Sequence, residues 1–216
     1  MKALKHILRT GWNDIGSDLH PIDRRMDVLA QKKVRGMSTE NIRYLINEIV
    51  REYVTTGYYL EVGMFHGCSL LSAALFNPGK TCIGIDNFSQ FDAEKENRKA
   101  LKRNLEKFSE AEKAEIVTIE GDYKDVLDKF EHKIDVYFYD GKHTYYDQLN
   151  GLQLALPHLS KKCVIIVDDV NLERTTEANK KFIKDNPDFK SWFKVSPPTR
   201  DARWHNGVEV IGRGWE

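Results

Sequence analysis

Short runs of apolar residues, each closing on an acidic residue or a glycine, alternate along the chain with longer segments whose apolar positions recur at helical spacing. The first run, Tyr59-Leu60-Glu61-Val62, leads into a turn bounded by Gly63 and Gly67, and Ser69 then opens an apolar helix reaching about Phe76. After the turn Asn77-Pro78-Gly79-Lys80, a second buried strand runs from Thr81 to Asp86, and a charged helical stretch follows from Glu94 to Phe108. Ile116 to Ile119 predicts a third strand closing on Glu120-Gly121-Asp122, with a short helix over Tyr123 to Phe130. Ile134 to Tyr139 predicts a fourth strand ending at Asp140-Gly141. A helix is expected over Thr144 to Leu159, with Tyr145, Leu149, Leu152 and Leu156 on its buried face and Pro157 breaking it. The most apolar strand, Cys163 to Val167, ends in Asp168-Asp169. Upstream, Ser38-Thr39-Glu40-Asn41 can cap a helix that carries Ile42, Leu45, Ile46, Ile49 and Val50 towards the sheet. In the tail, Thr175 to Asn186 reads as a helix and Trp192 to Val195 as a strand broken by Pro197-Pro198. Gly207 to Ile211 alternates like a last strand closing a hairpin at the sheet edge. Strand-then-helix units with near-continuous apolar strands predict an α/β fold: a Rossmann-like, doubly wound, mostly parallel seven-stranded sheet with an antiparallel last strand.

Composition narrows the partners. The chain has 216 residues with 33 basic and 33 acidic side chains, so bulk charge gives no case for nucleic acid or an anionic membrane surface. Small molecules are the expected partners. Cys68, Cys82 and Cys163 are odd in number and lie in apolar or turn contexts, which fits free thiols in a reducing compartment. Met1 to Arg9 never reaches the apolar length of a signal core or a membrane span, and a cytoplasmic protein is expected. Residues 1–37 read as a partly helical N-terminal extension whose amphipathic character can support a homodimer, and residues 38–216 as one domain.

The chemistry collects at strand ends. In an open parallel sheet, ligands bind outside the carboxyl ends of the strands. Here those ends carry Glu61, Asp86, Asp122, Asp140 and Asp168-Asp169, all acidic. Like charges gathered at one edge repel and need cations, hydrogen-bond donors or a metal. The glycine turn is a nucleotide-type cradle, but it lacks the third glycine of the dinucleotide fingerprint, and Glu61 would repel a pyrophosphate. A ligand with an amine-bearing, positive end suits it better. Ser69 is either the helix's own cap or a contact for a ligand carboxylate, since nothing nearby would activate it as a nucleophile. Asp122 can equally be a helix cap.

Leu60-Glu61-Val62-Gly63 with Gly67, followed by Gly84-Ile85-Asp86, resembles the first two signatures of the class I S-adenosylmethionine (SAM)-dependent methyltransferases. The likeness continues through Ile134 to Tyr145, Cys163 to Val170 and Trp204-His205-Asn206-Gly207-Val208, and is similar in order to the small bacterial O-methyltransferases of methyltransferase domain family 24. The resemblance implies SAM as cofactor. Gly63 and Gly67 would let its methionine end lie against the turn, Glu61 would face its amine, and Ser69 its carboxylate. Asp86, with Asn87 beside it, would hold the ribose hydroxyls. Asp122 and Tyr123 would meet the adenine, the alternatives being a helix cap and a surface aromatic. Asp140, Asp168 and Asp169 would converge on Mg²⁺ or another divalent cation, with Asn171 in reserve; the other reading is a helix cap or pairing with Lys142 or Arg174. His143, with Asp140, is the candidate catalytic group, although a carboxylate cluster favours its protonated form. His205 and Asn206 would support the strand or the cleft floor. The expected activity is divalent-metal-assisted O-methylation of a small hydroxylated acceptor such as a sugar, a phenol or a natural product. Competing readings are methyl transfer without metal, with His143 as base, a nicotinamide-dinucleotide oxidoreductase, and a non-catalytic cofactor-binding protein.

Overall fold

A computed structural model describes residues 24–92 and 95–215. The first part of the expected N-terminal extension lies outside these residues. Its described part is a single 3-10 turn and a short helix α1 (Asp27–Gln31), and Met26, Leu29 and Val34 bury against Cys68, Leu71, Leu75 and Phe108.

Helix α2 (Glu40–Tyr53) begins where Thr39 accepts a hydrogen bond from the Ile42 backbone N–H, the cap expected of that motif. Strands β1 (Tyr58–Val62), β2 (Thr81–Asp86), β3 (Glu115–Glu120), β4 (Ile134–Tyr139) and β5 (Leu159–Asp168) run parallel, separated by helices α3 (Cys68–Ala74), α4 (Asn97–Leu105), α5 (Tyr123–Asp128) and α6 (Tyr145–Ala155). Helix α7 (Glu173–Asp185) precedes β6 (Lys190–Val195) and β7 (Val208–Arg213). The strand order is β3-β2-β1-β4-β5-β7-β6 in one seven-stranded sheet.

Alternate residues of each strand feed two cores. One face packs Ile42, Leu45, Ile46 and Ile49 of α2 and Leu70 and Ala73 of α3 against Val136, Phe138, Val164, Ile166 and Val210. The other packs Leu127, Leu152, Ala155 and Phe182 from α5, α6 and α7 against Leu60, Ile83, Tyr137, Ile165 and Ile211. Each fully buried aliphatic side chain contributes about 1.5–3 kcal/mol, so the four α2 residues alone anchor that helix firmly. Helices on both faces make the sheet doubly wound.

Two details of α6 depart from the sequence expectation, while the tail forms the expected hairpin at the sheet edge: β7 lies antiparallel between β5 and β6, and β6 is outermost. Chain reversal through Pro197-Pro198 lets an alternating, apolar strand take the interior slot. The helix expected to reach Leu159 ends at Ala155, because Pro157 turns the chain into a 3-10 turn and β5 starts at Leu159. Its buried face is Gln148, Gly151, Leu152 and Ala155, not the stripe through Tyr145, Leu149 and Leu156. Gly151 turns that face inward, since a Cβ there would stand 2.1 Å from the Tyr139 ring.

Among the described residues no helix is long and apolar enough to cross a membrane. The three cysteines are free and buried.

Candidate active site

The sheet reverses its winding between β1 and β4, which is where a doubly wound fold opens a crevice. Gly63 closes β1 at φ +95°, and a Cβ there would fall 2.0 Å from the Asp140 carbonyl oxygen. The two strand ends therefore touch backbone to backbone, which only glycine permits. Gly67 caps α3 at φ +79°, with Leu101 filling the space a side chain would need. That cap is Gly67 and not Ser69, whose hydroxyl turns back to Glu61. Protein packing thus already demands both glycines.

Glu61 is fully buried beneath the turn. Tyr59 donates to its Oε2 at 2.6 Å and Ser69 to its Oε1 at 3.0 Å. Burial pushes its carboxyl up to about 8, against these two hydrogen bonds, and the charges of Asp140 and Asp86 add to the rise. Tyr59 had no signal as a site residue in the sequence, because one tyrosine in an apolar strand reads as core. Asp86 ties the β2 end to the turn, accepting from the Phe65 N–H at 2.8 Å and the Phe88 N–H at 2.7 Å. A carboxylate has about four lone-pair sites, so two bonds leave it able to accept more. Asn87 is exposed and accepts from the Ser89 N–H.

Asp122 caps α5 through the Lys124 N–H at 3.0 Å, and Tyr123 packs edge-on against Tyr139. Both lie along the same rim, past β3. Asp122 therefore does at least the structural task.

At β4 and β5 the carboxylates gather around a histidine. His143 Nε2 lies 3.4 Å from Asp140 Oδ1 and 3.6 Å from Asp169 Oδ2, while Nδ1 meets Gln148 Oε1 at 3.3 Å. Arg174 donates to the His143 carbonyl oxygen at 2.5 Å. Burial alone would lower the pKa of His143, but the hydrogen bond and charge of Asp140 and the charge of Asp169 outweigh it, and the net shift is upward. Asp140, which keeps a third of its side chain open, is raised by desolvation, more than His143 offsets. Asp168 is buried and driven well above the ordinary carboxylate range by desolvation and by Asp140 and Asp169.

Asp168 Oδ1 and Asn171 Oδ1 have no hydrogen-bond partner among the described residues. Asp169 sits at φ +55°, held by the Asn206 amide at 2.8 Å. The capping and pairing alternatives fail on geometry: α7 is capped at Leu172, Lys142 reaches Asp147, and Arg174 reaches a carbonyl. Among the described residues no three His, Cys, Asp or Glu side chains are grouped so that they could hold a metal ion as they stand. What the cluster does offer is a buried Asp168 oxygen without a partner among the described residues, close to the two carboxylates of Asp140 and Asp169, all hard oxygen donors.

The adjoining cleft is walled by Met37, Ile42, Ile46, Met64, Phe65 and Phe138 and floored by Asp140 and Asp168. The glycine turn, the acidic cluster and an apolar wall thus meet in one crevice. Gln148 and Asn206 are polar residues of this site that the sequence left unassigned or only as support, since their value depends on which neighbours the fold supplies.

The family model for a methyltransferase domain matches residues 60–170, more than half of the chain. No curated protein matches the chain. Among solved structures, it is similar to an O-methyltransferase from Bacillus cereus in complex with S-adenosylhomocysteine (SAH), at 14% identity and a TM-score of 0.62, covering 94% of this chain and 96% of that one. An O-methyltransferase from Streptomyces achromogenes involved in tomaymycin synthesis, in complex with SAM, matches at 14% identity and TM-score 0.59, covering 90% and 89%. A precorrin-8w decarboxylase from Methanobacterium thermoautotrophicum matches at 20% identity and TM-score 0.58, covering 85% and 94%. At such identities the likeness speaks for the fold, which carries more than one chemistry. With the matched segment running from the first strand through the glycine turn to the β5 carboxylates, the chain belongs to the methyltransferase-domain family and has the class I, SAM-dependent methyltransferase fold.

Proposed function

We propose that the protein transfers a methyl group from SAM to an oxygen of a small hydroxylated acceptor, a sugar, a phenol or a natural product, with a divalent cation such as Mg²⁺ assisting. The observation that supports this most is that Asp140 and Asp168 line the crevice, Asp169 stands close by beside His143, and a buried Asp168 oxygen has no partner among the described residues. The names of the B. cereus and S. achromogenes relatives favour oxygen as the accepting atom.

In this reading Glu61 and Ser69 receive the amino-acid end of the methyl donor, Asp86 and Asn87 its ribose, and the rim of Asp122 and Tyr123 its base. The turn and the apolar wall exclude water and hold the acceptor oxygen in line with the methyl group. The oxygen attacks the methyl carbon, the carbon–sulfur bond breaks with its electron pair going to sulfur, and SAH leaves. Asp140, Asp168 and Asp169 would hold the cation, whose contribution is to lower the pKa of the acceptor hydroxyl. His143 stands next to that cluster. Asp140 and Asp169 raise its pKa, which disfavours proton release after it has acted as base, and this restraint is eased once those charges are neutralised.

Calorimetry with SAH and with NAD tests the donor, and SAH binding without NAD binding is expected. Tight NAD binding without SAH would overturn the reading in favour of an oxidoreductase. Methyl transfer to a panel of phenols and sugars should vanish in chelator and return with Mg²⁺. Full activity in chelator would remove the metal and give deprotonation to His143, and SAH binding with no transfer to any acceptor would favour a non-catalytic binder.

A further inference from the structure

Behind His143, away from the cleft, a row of buried polar side chains crosses three elements. Gln148 Nε2 on α6 donates to Asn179 Oδ1 on α7 at 3.1 Å, and Asn179 Nδ2 donates to Glu209 Oε2 on β7 at 2.9 Å. Glu209 also accepts from the Ser191 hydroxyl at 2.7 Å and faces the Lys194 ammonium at 3.6 Å. Gln148 and Asn179 are 0% exposed and Glu209 5%, so water cannot stand in for a missing partner.

The row has a direction. An amide can turn end for end, but the Glu209 carboxylate, facing the Lys194 ammonium and accepting from Ser191, serves Asn179 as an acceptor. Glu209 therefore obliges Asn179 to present its NH₂, which leaves Asn179 Oδ1 facing Gln148. Gln148 must answer with its own NH₂, which leaves Gln148 Oε1 facing His143. An amide oxygen only accepts, so the proton in the 3.3 Å contact must sit on His143 Nδ1.

We propose that Gln148, Asn179 and Glu209 are positioning residues that fix the orientation and tautomer of His143, keeping Nδ1 as a standing hydrogen-bond donor and turning Nε2 to the cleft beside Asp140 and Asp169. An isolated imidazole can carry its proton on either nitrogen; the relay removes that choice. It spans α6, α7 and β7, so it also ties an interior strand of the sheet to the cleft. The tautomer assignment stands independently of which acceptor or metal the enzyme uses.

The test is nitrogen-15 NMR of the full-length protein without SAM or metal, with His143 assigned from H143Q. Long-range proton–nitrogen correlations should show His143 Nδ1 protonated and its N–H protected from exchange. Q148L should lose that protected resonance, and E209A should weaken it by freeing Asn179 to turn. Circular dichroism identifies a variant that has not folded, and the wild-type spectrum alone still decides. An unprotonated Nδ1 in wild type, or a protected Nδ1–H that survives in folded Q148L, would overturn the proposal. An E209A signal equal to wild type would overturn the role of Glu209. None of these readouts depends on methyl transfer, so a failed O-methylation assay leaves them standing.

Discussion

Among single residues, Glu61 is the most informative. A buried carboxyl whose hydrogen-bond partners among the described residues are two hydroxyls is costly to ionise, and its pKa of about 8 places that cost in the physiological range. In the unfolded chain it ionises near 4.5, so the unfolded state sheds the proton first and wild-type stability falls as pH rises from about 4.5 to 8. E61Q keeps the shape and removes the charge. Its melting temperature should exceed that of wild type by a margin that grows across this window and flattens above it, while SAH affinity drops about tenfold or more for a lost charge-assisted contact. Thermal denaturation at several pH values checks the first part, and a margin indifferent to pH would refute it. Asp86 gives the complementary lesson: a residue assigned to ribose in the sequence also holds the backbone of the turn, so loss of affinity on its removal would mix two effects.

Among elements, helix α6 shows how a stripe of large apolar residues can mislead. Tyr145, Leu149 and Leu156 are only partly buried, because the helix is rotated to bring Gly151 onto the Tyr139 ring and Gln148 towards His143. G151A should push the helix off the sheet and cost about 1–3 kcal/mol, since the fully buried Tyr139 has nowhere to move. G79A is the comparison: at φ +78° with nothing within 4 Å of a new Cβ, it should cost only the strain of a left-handed alanine, about 1 kcal/mol. Urea denaturation of both variants measures the difference, and equal losses would refute the close packing of α6.

For the molecule as a whole, β7 joins the tail to the sheet. It bonds β5 on one side and β6 on the other, and buries Val208, Val210 and Ile211. It also carries Glu209, the end of the relay to His143. A chain truncated after Gly207 would leave β5 with an unpaired apolar edge and β6 detached, and it should lose cooperative unfolding in urea; a sharp transition like that of the full chain would refute this.

The strands, their order of appearance, the glycine turn and the acidic strand ends were all legible in the sequence. Apolar runs, glycines that no other residue replaces, and carboxylates at strand ends are local features with local causes. Asp86 and Asp140 could be placed at the carboxyl edge without coordinates for that reason. The insertion of β7 inside the sheet, the rotation of α6, and the partners of Glu61 and Asp168 could not. Tyr59, Gln148, Asn179 and Glu209 look in sequence like an ordinary core tyrosine and scattered polar residues. Their meaning comes from burial beside particular neighbours far along the chain, and only the tertiary fold decides which neighbours those are.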